Sequence, residues 1–366
     1  MTSRAPALPR RVVVGISIVV LLAALGAGLW AGLLRMGAVL PFPPGLWLAL
    51  HGPLMAAGVF GTIVSLERAV ALRARWAYAA PVLGAIGVLL ILVSAPSEWS
   101  ALALLGSGVA MLAVNMRMVS LHPALHTATM AAGALGLAIG GLLRVAEQPI
   151  SRSAVWWMLF LVLTIAGERL ELSRVRRLSR LSTLGFACCA GVLIGGAVMV
   201  TFDAPGGGIV VGAGLLSLAV WLAIHDVART NVKRAGLIRY IAICLLLAHA
   251  WLAISGALWL ALGDARGGAA YDAFLHAIFV GFTLSMIFGH APIILPSVAG
   301  ISFPYSDRFY APLALLHLSV VIRIAGDLGG LPVFRQAGGW LNGLAFLIYL
   351  GLLAAGKVAE RRRARV

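Results

Sequence analysis

Charge is what this sequence has least of. Only 11% of its residues are charged, against roughly a quarter in a soluble globular domain. Acidic residues are the scarcer kind, 12 Asp and Glu against 28 Lys and Arg. That shortage excludes a water-soluble fold, because 61% hydrophobic residues and a mean hydropathy of +1.02 leave too little polar surface to face solvent. Cysteine is nearly missing: Cys188, Cys189 and Cys244 all fall in apolar runs, with no CxxC or CxxCH arrangement. Adjacent cysteines are poor disulfide partners, so these thiols read as small buried apolar residues. Short segments of alternating polarity are also absent, which excludes a membrane β-barrel. No low-complexity stretch, internal repeat or long polar loop suggests a second domain, so residues 1–366 read as one integral-membrane unit.

What fills the chain instead is a series of about 12 apolar segments, each long enough for a helix to cross a bilayer. They fall near 11–34, 45–66, 77–95, 99–119, 122–143, 153–170, 181–201, 207–228, 237–261, 270–297, 309–327 and 337–356. The expected fold is all-α, a polytopic membrane bundle. The net charge of +16 then stops pointing to nucleic acid. Arg35, Arg144, Arg152, Arg266, Arg323 and Arg335 fall on one side of such a bundle, and the other 22 of the 28 basic residues fall on the opposite side. By the positive-inside rule that basic side is cytoplasmic, and both termini lie there. Multi-pass insertion in the cell's inner (plasma) membrane follows. Arg10-Arg11 precedes a run too long for a cleaved export signal, so the first helix is expected to be retained.

Against this apolar ground the histidines stand out. In the tenth segment His276, Thr283 and His290 share one stripe at about 100° per residue. Intramembrane ionisable groups are costly and usually face the bundle interior. Sorted by depth, His51 and His276 lie ~8–9 Å in from the outer edge on two helices running the same way. His126, His249, His290 and His317 lie ~8–15 Å from the inner edge on four different helices. Glu67-Arg68 are expected at the membrane surface as solvated or lipid-facing charges, Glu168 and Glu171 there beside arginines, and His225-Asp226 as a solvated pair. Arg323 and Asp327, four apart, can pair, and the Asp and Glu residues as a set are expected near interfaces or in loops.

A matched pair of apolar-flanked histidines on separate helices is what axial ligation of a haem iron requires. Haem propionates also need cations, and Arg323 and Arg335 at the outer ends of the last two helices would supply them. On depth alone a second reading stays open, with histidines hydrogen-bonded to neighbouring helices and no metal. The inner layer (His126, His249, His290 and His317) could hold a further haem or a copper ion, because imidazole suits both.

The arrangement resembles the haem-copper oxidase subunit I superfamily, with His51 on helix 2 and His276 on helix 10 of a twelve-helix chain. His249-Ala-Trp251-Leu, His276-Ala-Ile-Phe-Val-Gly281 and Gly289-His290 are similar, more closely, to the NnrS family of haem- and copper-containing membrane proteins. The resemblance implies a low-spin, b-type haem between His51 and His276, arginines after helix 11 at its propionates, and a redox or sensing role linked to nitric oxide or respiratory metabolism. The sequence departs from the pattern where helices 6 and 7 carry no histidine, so the copper ligands of an oxygen reductase are missing and that activity is not expected. His290 is followed by Ala-Pro where NnrS-type sequences carry Thr-Gly-Arg. Two other classes compete: a secondary transporter in which histidines relay protons, and a haem or copper delivery protein without redox turnover. The partners implied are membrane lipid and an electron donor or acceptor, with no nucleic acid.

Overall fold

The structure is a computed structural model that describes residues 10–42, 47–174, 178–299 and 304–363. Those residues are helical with short connections, and 12 helices are long and apolar enough to cross a membrane. They are α1 (Val14–Arg35), α2 (Pro53–Leu72), α3 (Arg75–Leu92), α4 (Ser97–Leu121), α5 (Leu125–Val145), α6 (Ile150–Ser173), α7 (Arg180–Thr201), α8 (Gly207–His225), α9 (Gly236–Leu262), α10 (Gly268–Val298), α11 (Asp307–Leu328) and α12 (Pro332–Lys357). A multi-pass membrane bundle is the architecture. Arg4, Arg176 and Arg177, which contribute to the charge asymmetry, lie outside the described residues, as do the side chains of Arg10, Arg11 and Arg361 to Arg365.

The second span departs most from expectation. It begins at Pro53 rather than near residue 45 and runs to Leu72 rather than 66. Proline lacks an N–H and is tolerated in a first helical turn, where that donor has no partner anyway. At the other end Glu67 and Arg68 do not stop the helix, because Arg68 is buried and ion-paired with Glu168 of α6. The helix ends instead at Arg73, whose φ of 56° is left-handed. The third span stops at Leu92, before Ser94 turns to a φ of 55°.

α6 is the central helix, with 83% of its apolar window buried. Trp156 and Trp157 are accordingly buried inside the bundle, not placed in an interfacial belt. α10 crosses beside it, carrying Pro292 and Pro296 in its interior. Pro292 cannot donate to the carbonyl of Phe288 four residues back. The hydroxyl of Tyr349 on α12 donates to that carbonyl at 2.8 Å, which repairs the gap and ties α12 to α10. Glycines set the approach of α11 and α12: a Cβ on Gly338 would lie 2.7 Å from the Arg323 Cα, and one on Gly326 would lie 2.4 Å from the Arg335 backbone N. Only hydrogen fits there, and the close contact brings Arg323 and Arg335 together at the outer end.

Candidate functional site

α2 and α10 share an irregularity placed next to the two outer histidines. Residues Pro53–Phe60 follow His51 as a π-helical segment, and Ala277–Phe282 follow His276 as another. π-helical turns are rare and concentrate at functional sites, because each widens the helix and re-aims the side chains around it. Pro53 accounts for the first by removing a backbone donor; no residue in Ala277–Phe282 forces the second. One phenyl from each segment, Phe60 and Phe279, lies parallel to the other within 2°, their centroids 6.5 Å apart.

Both imidazoles are held by the same nitrogen. The Nδ1–H of His51 donates to the carbonyl of Gly28 on α1 at 3.0 Å. That of His276 donates to the carbonyl of Asp272 at 2.8 Å, with the Asp272 carboxylate 3.3 Å away. Among the described residues neither Nε2 has a hydrogen-bond partner. A metal-ligating histidine usually has its second nitrogen fixed by a carbonyl or carboxylate in this way. Gly32 makes room for the His51 ring, since a Cβ there would sit 3.2 Å from its Cε1.

Around His276 lies a closed network of charge. The Asp272 carboxylate accepts from Arg323 at 2.7 Å and from Arg335 at 3.3 Å. Arg335 also meets Asp327 at 2.8 Å, and Arg323 lies 3.9 Å from the same carboxylate. The Arg323–Asp327 pair spaced four apart on α11 is thus present, within a network that includes Asp272. Two guanidinium groups face two carboxylates, so the network is neutral, and both arginines are already engaged in holding the residue that holds His276. Asp327 is 4% exposed and stands one residue from the outer end of α11, where arginines rather than water surround its carboxylate. The residue missed by sequence reasoning is Arg35 at the outer end of α1. It bonds the carbonyl of Leu48 and acts electrostatically on His51, yet has no carboxylate within ion-pair distance among the described residues. Its only sequence signal was being one of six basic residues on the acidic side.

The four inner histidines have partners of several kinds. His317 is engaged at both nitrogens. The indole N–H of Trp251 donates to its Nδ1 at 2.8 Å, its Nε2 faces Ser285 Oγ at 3.5 Å, and Ser285 donates to the carbonyl of Cys244 at 2.8 Å. That chain fixes the tautomer and leaves no lone pair for a metal. His126 is buried with Nε2 3.9 Å from Glu171. His249 is buried with neither ring nitrogen hydrogen-bonded, 3.6 Å from Asp226, which lies 3.9 Å from Arg169. Asp226 is fully buried and Arg169 is 4% exposed, so the expected solvated His225-Asp226 pair is corrected for its acid. His290 donates from Nδ1 to the carbonyl of Met286 at 2.8 Å and keeps Nε2 without a partner. Among the described residues no cluster of three or more metal-ligating side chains forms. Of the thiols, Cys244 is buried as expected, whereas Cys188 is exposed on α7.

A family model described as a domain of unknown function (DUF8744) matches residues 11–358, and the chain belongs to that family. No curated protein and no solved structure matches it.

Proposed function

We propose that this membrane protein binds a haem between α2 and α10, with His51 and His276 as its two axial ligands, in an arrangement similar to that of haem-copper oxidase subunit I and of the NnrS family. The observation that carries the reading is the matched pair of π-helical segments, each beginning within two residues of a histidine whose Nδ1 is tied to a carbonyl and whose Nε2 has no hydrogen-bond partner among the described residues. A neutral imidazole poised in this way is a strong ligand for iron. The residues present therefore fit the group.

Ligated by two imidazoles, such a group would supply one-electron transfer rather than activation of a bound substrate, because no coordination position stays open. Asp272 orients His276, and Arg323 with Arg335 holds Asp272 in place. Arg35, with no carboxylate partner, is the cation best placed to meet a propionate, and Arg323 and Arg335 can contribute only the guanidinium donors that Asp272 and Asp327 leave over. The role that follows is redox or sensing, linked to nitric oxide or respiratory metabolism. Reduction of oxygen or nitric oxide at a haem–copper pair is not proposed, since α6 and α7 contain no histidine. A reduced-minus-oxidised visible spectrum of the purified protein, with iron and copper analysis, tests the reading. A colourless, iron-free protein would return the chain to the transporter class.

The same proposal places the protein in the cell's inner (plasma) membrane with both termini and the basic loop of Arg174 to Arg180 cytoplasmic, on the strength of the Lys/Arg asymmetry. Cysteine introduced at Asp203 should react with an impermeant reagent in intact cells, and Arg177→Cys should not. Reaction of the latter from outside would invert the topology.

A further inference from the structure

At the outer ends of α2, α4, α5 and α6 lies a cavity of about 450 Å³ that the haem reading leaves unused. That volume falls within the ~300–1,000 Å³ of sites for small organic groups. Leu50 and Leu104 are among its buried walls, whereas Leu102 and Val145 line it and are also exposed on the outside of the bundle. The cavity therefore borders the surface that lipid covers. Trp99, 65% exposed in the first turn of α4, marks the level of the lipid headgroups, where tryptophan is enriched.

Its charged groups set it apart from the rest of that face. Asp203, Asp264, Asp272 and Asp327 are each ion-paired with an arginine. Glu98 and Glu147, the other two acidic residues at this end, have no ion pair among the described residues, and both line the cavity. Arg144 lines it as well, donating from Nη1 to the carbonyl of Gln148 at 2.7 Å and meeting no carboxylate among the described residues. Stability does not account for Glu147. It follows the C-cap of α5 with a left-handed φ of 55°, a position that favours glycine, and a carboxylate there opposes the dipole of the helix C-terminus. Nor does a divalent metal account for the pair. Calcium takes about six to eight oxygens, and no three ligating side chains converge among the described residues.

Two carboxylates and one guanidinium match a zwitterion. A primary ammonium carries three N–H donors, enough for both glutamates, and arginine suits the planar, forked recognition of a phosphate. A quaternary ammonium has no N–H to give. Two negative charges against one positive also disfavour an anionic headgroup. We propose that this cavity holds the headgroup of an ethanolamine phospholipid, its ammonium between Glu98 and Glu147, its phosphate on Arg144, and its acyl chains along Leu102 and Leu142, both exposed on the bundle surface. The assignment rests on the cavity alone and holds whether or not iron sits between His51 and His276.

The test is native mass spectrometry of the full-length protein in detergent, titrated with dioleoyl phosphatidylethanolamine, phosphatidylcholine or phosphatidylglycerol. A photoactivatable phosphatidylethanolamine maps the site. One phosphatidylethanolamine per chain should bind about 10-fold more tightly than phosphatidylglycerol and about 5-fold more tightly than phosphatidylcholine, with label on α4 and α5 peptides. Glu98→Gln and Glu147→Gln should each weaken it about 5-fold. Arg144→Gln should weaken phosphatidylethanolamine and phosphatidylcholine alike, since both carry the phosphate. Glu147→Gly should bind no better than Glu147→Gln, although glycine suits the left-handed turn and raises the melting temperature. Binding indifferent to the headgroup, or unchanged in both glutamine variants, would overturn the proposal. So would glycerophosphoethanolamine, which has no acyl chains, competing as well as the lipid, or a calcium ion retained in the lipid's place.

Discussion

The outer and inner histidines look alike in the sequence, yet the structure treats them as two kinds of residue. At the outer end, His51 and His276 each have Nδ1 fixed by a carbonyl, a π-helical segment beside them and no hydrogen bond to Nε2 among the described residues. At the inner end the partners differ from one histidine to the next: Trp251 and Ser285 for His317, Glu171 for His126, Asp226 for His249 and the carbonyl of Met286 for His290. The difference teaches that depth and apolar flanks do not identify a ligand. Nor does the hydrogen-bonding state of the second nitrogen alone, since His290 also has Nδ1 on a backbone carbonyl; what sets the outer two apart is that state together with an adjoining π-helical segment.

The sharpest way to break the comparison is to exchange the two layers. His51→Ala or His276→Ala should abolish a low-spin haem signal, whereas His317→Ala should leave it at wild-type intensity, read as reduced-minus-oxidised absorbance per chain. If changes at His249, His290 and His317 remove the spectrum while those at His51 and His276 spare it, the outer assignment fails. The next largest effect belongs to the inner charge pair. Asp226→Ala would leave Arg169 buried without its carboxylate, a loss of about 3–5 kcal/mol for a buried ion, seen as a strongly lowered melting temperature. Asp226→Ala melting like the wild type would show that Arg169 draws its support elsewhere.

Smaller effects sharpen the contrast. Trp251→Phe removes the donor to His317 and should cost about 1–2 kcal/mol of stability without altering any haem spectrum, since His317 is not a ligand in this reading. A spectral change there would join the inner layer to the cofactor. Gly32→Ala should have the least effect: its Cβ would press on the His51 ring at 3.2 Å, shifting the position of the haem bands slightly while the bound amount stays constant. Loss of haem in that variant would mean that His51 has no room to yield.

Much of the fold was legible in the sequence, because a bilayer permits few solutions. Apolar runs of bilayer length can only be helices there, since every backbone donor must be satisfied within its own segment, and the 12 spans follow from hydropathy alone. Their ends were less legible: the second segment was expected from near residue 45 when α2 opens at Pro53, and Glu67-Arg68 as a surface end when α2 runs past it. In both cases the deciding partner, a first-turn position or Glu168 on α6, comes from outside the local pattern. Equal depth of His51 and His276 was available from counting residues. What only the tertiary structure decided is which nitrogen each imidazole exposes, that Asp272 and Arg335 join the Arg323–Asp327 pair in one network, and that Asp226 is buried rather than wet. Hydropathy reports the average environment of a segment, whereas a hydrogen bond depends on one atom of another helix lying within about 3 Å, and that distance is set by packing.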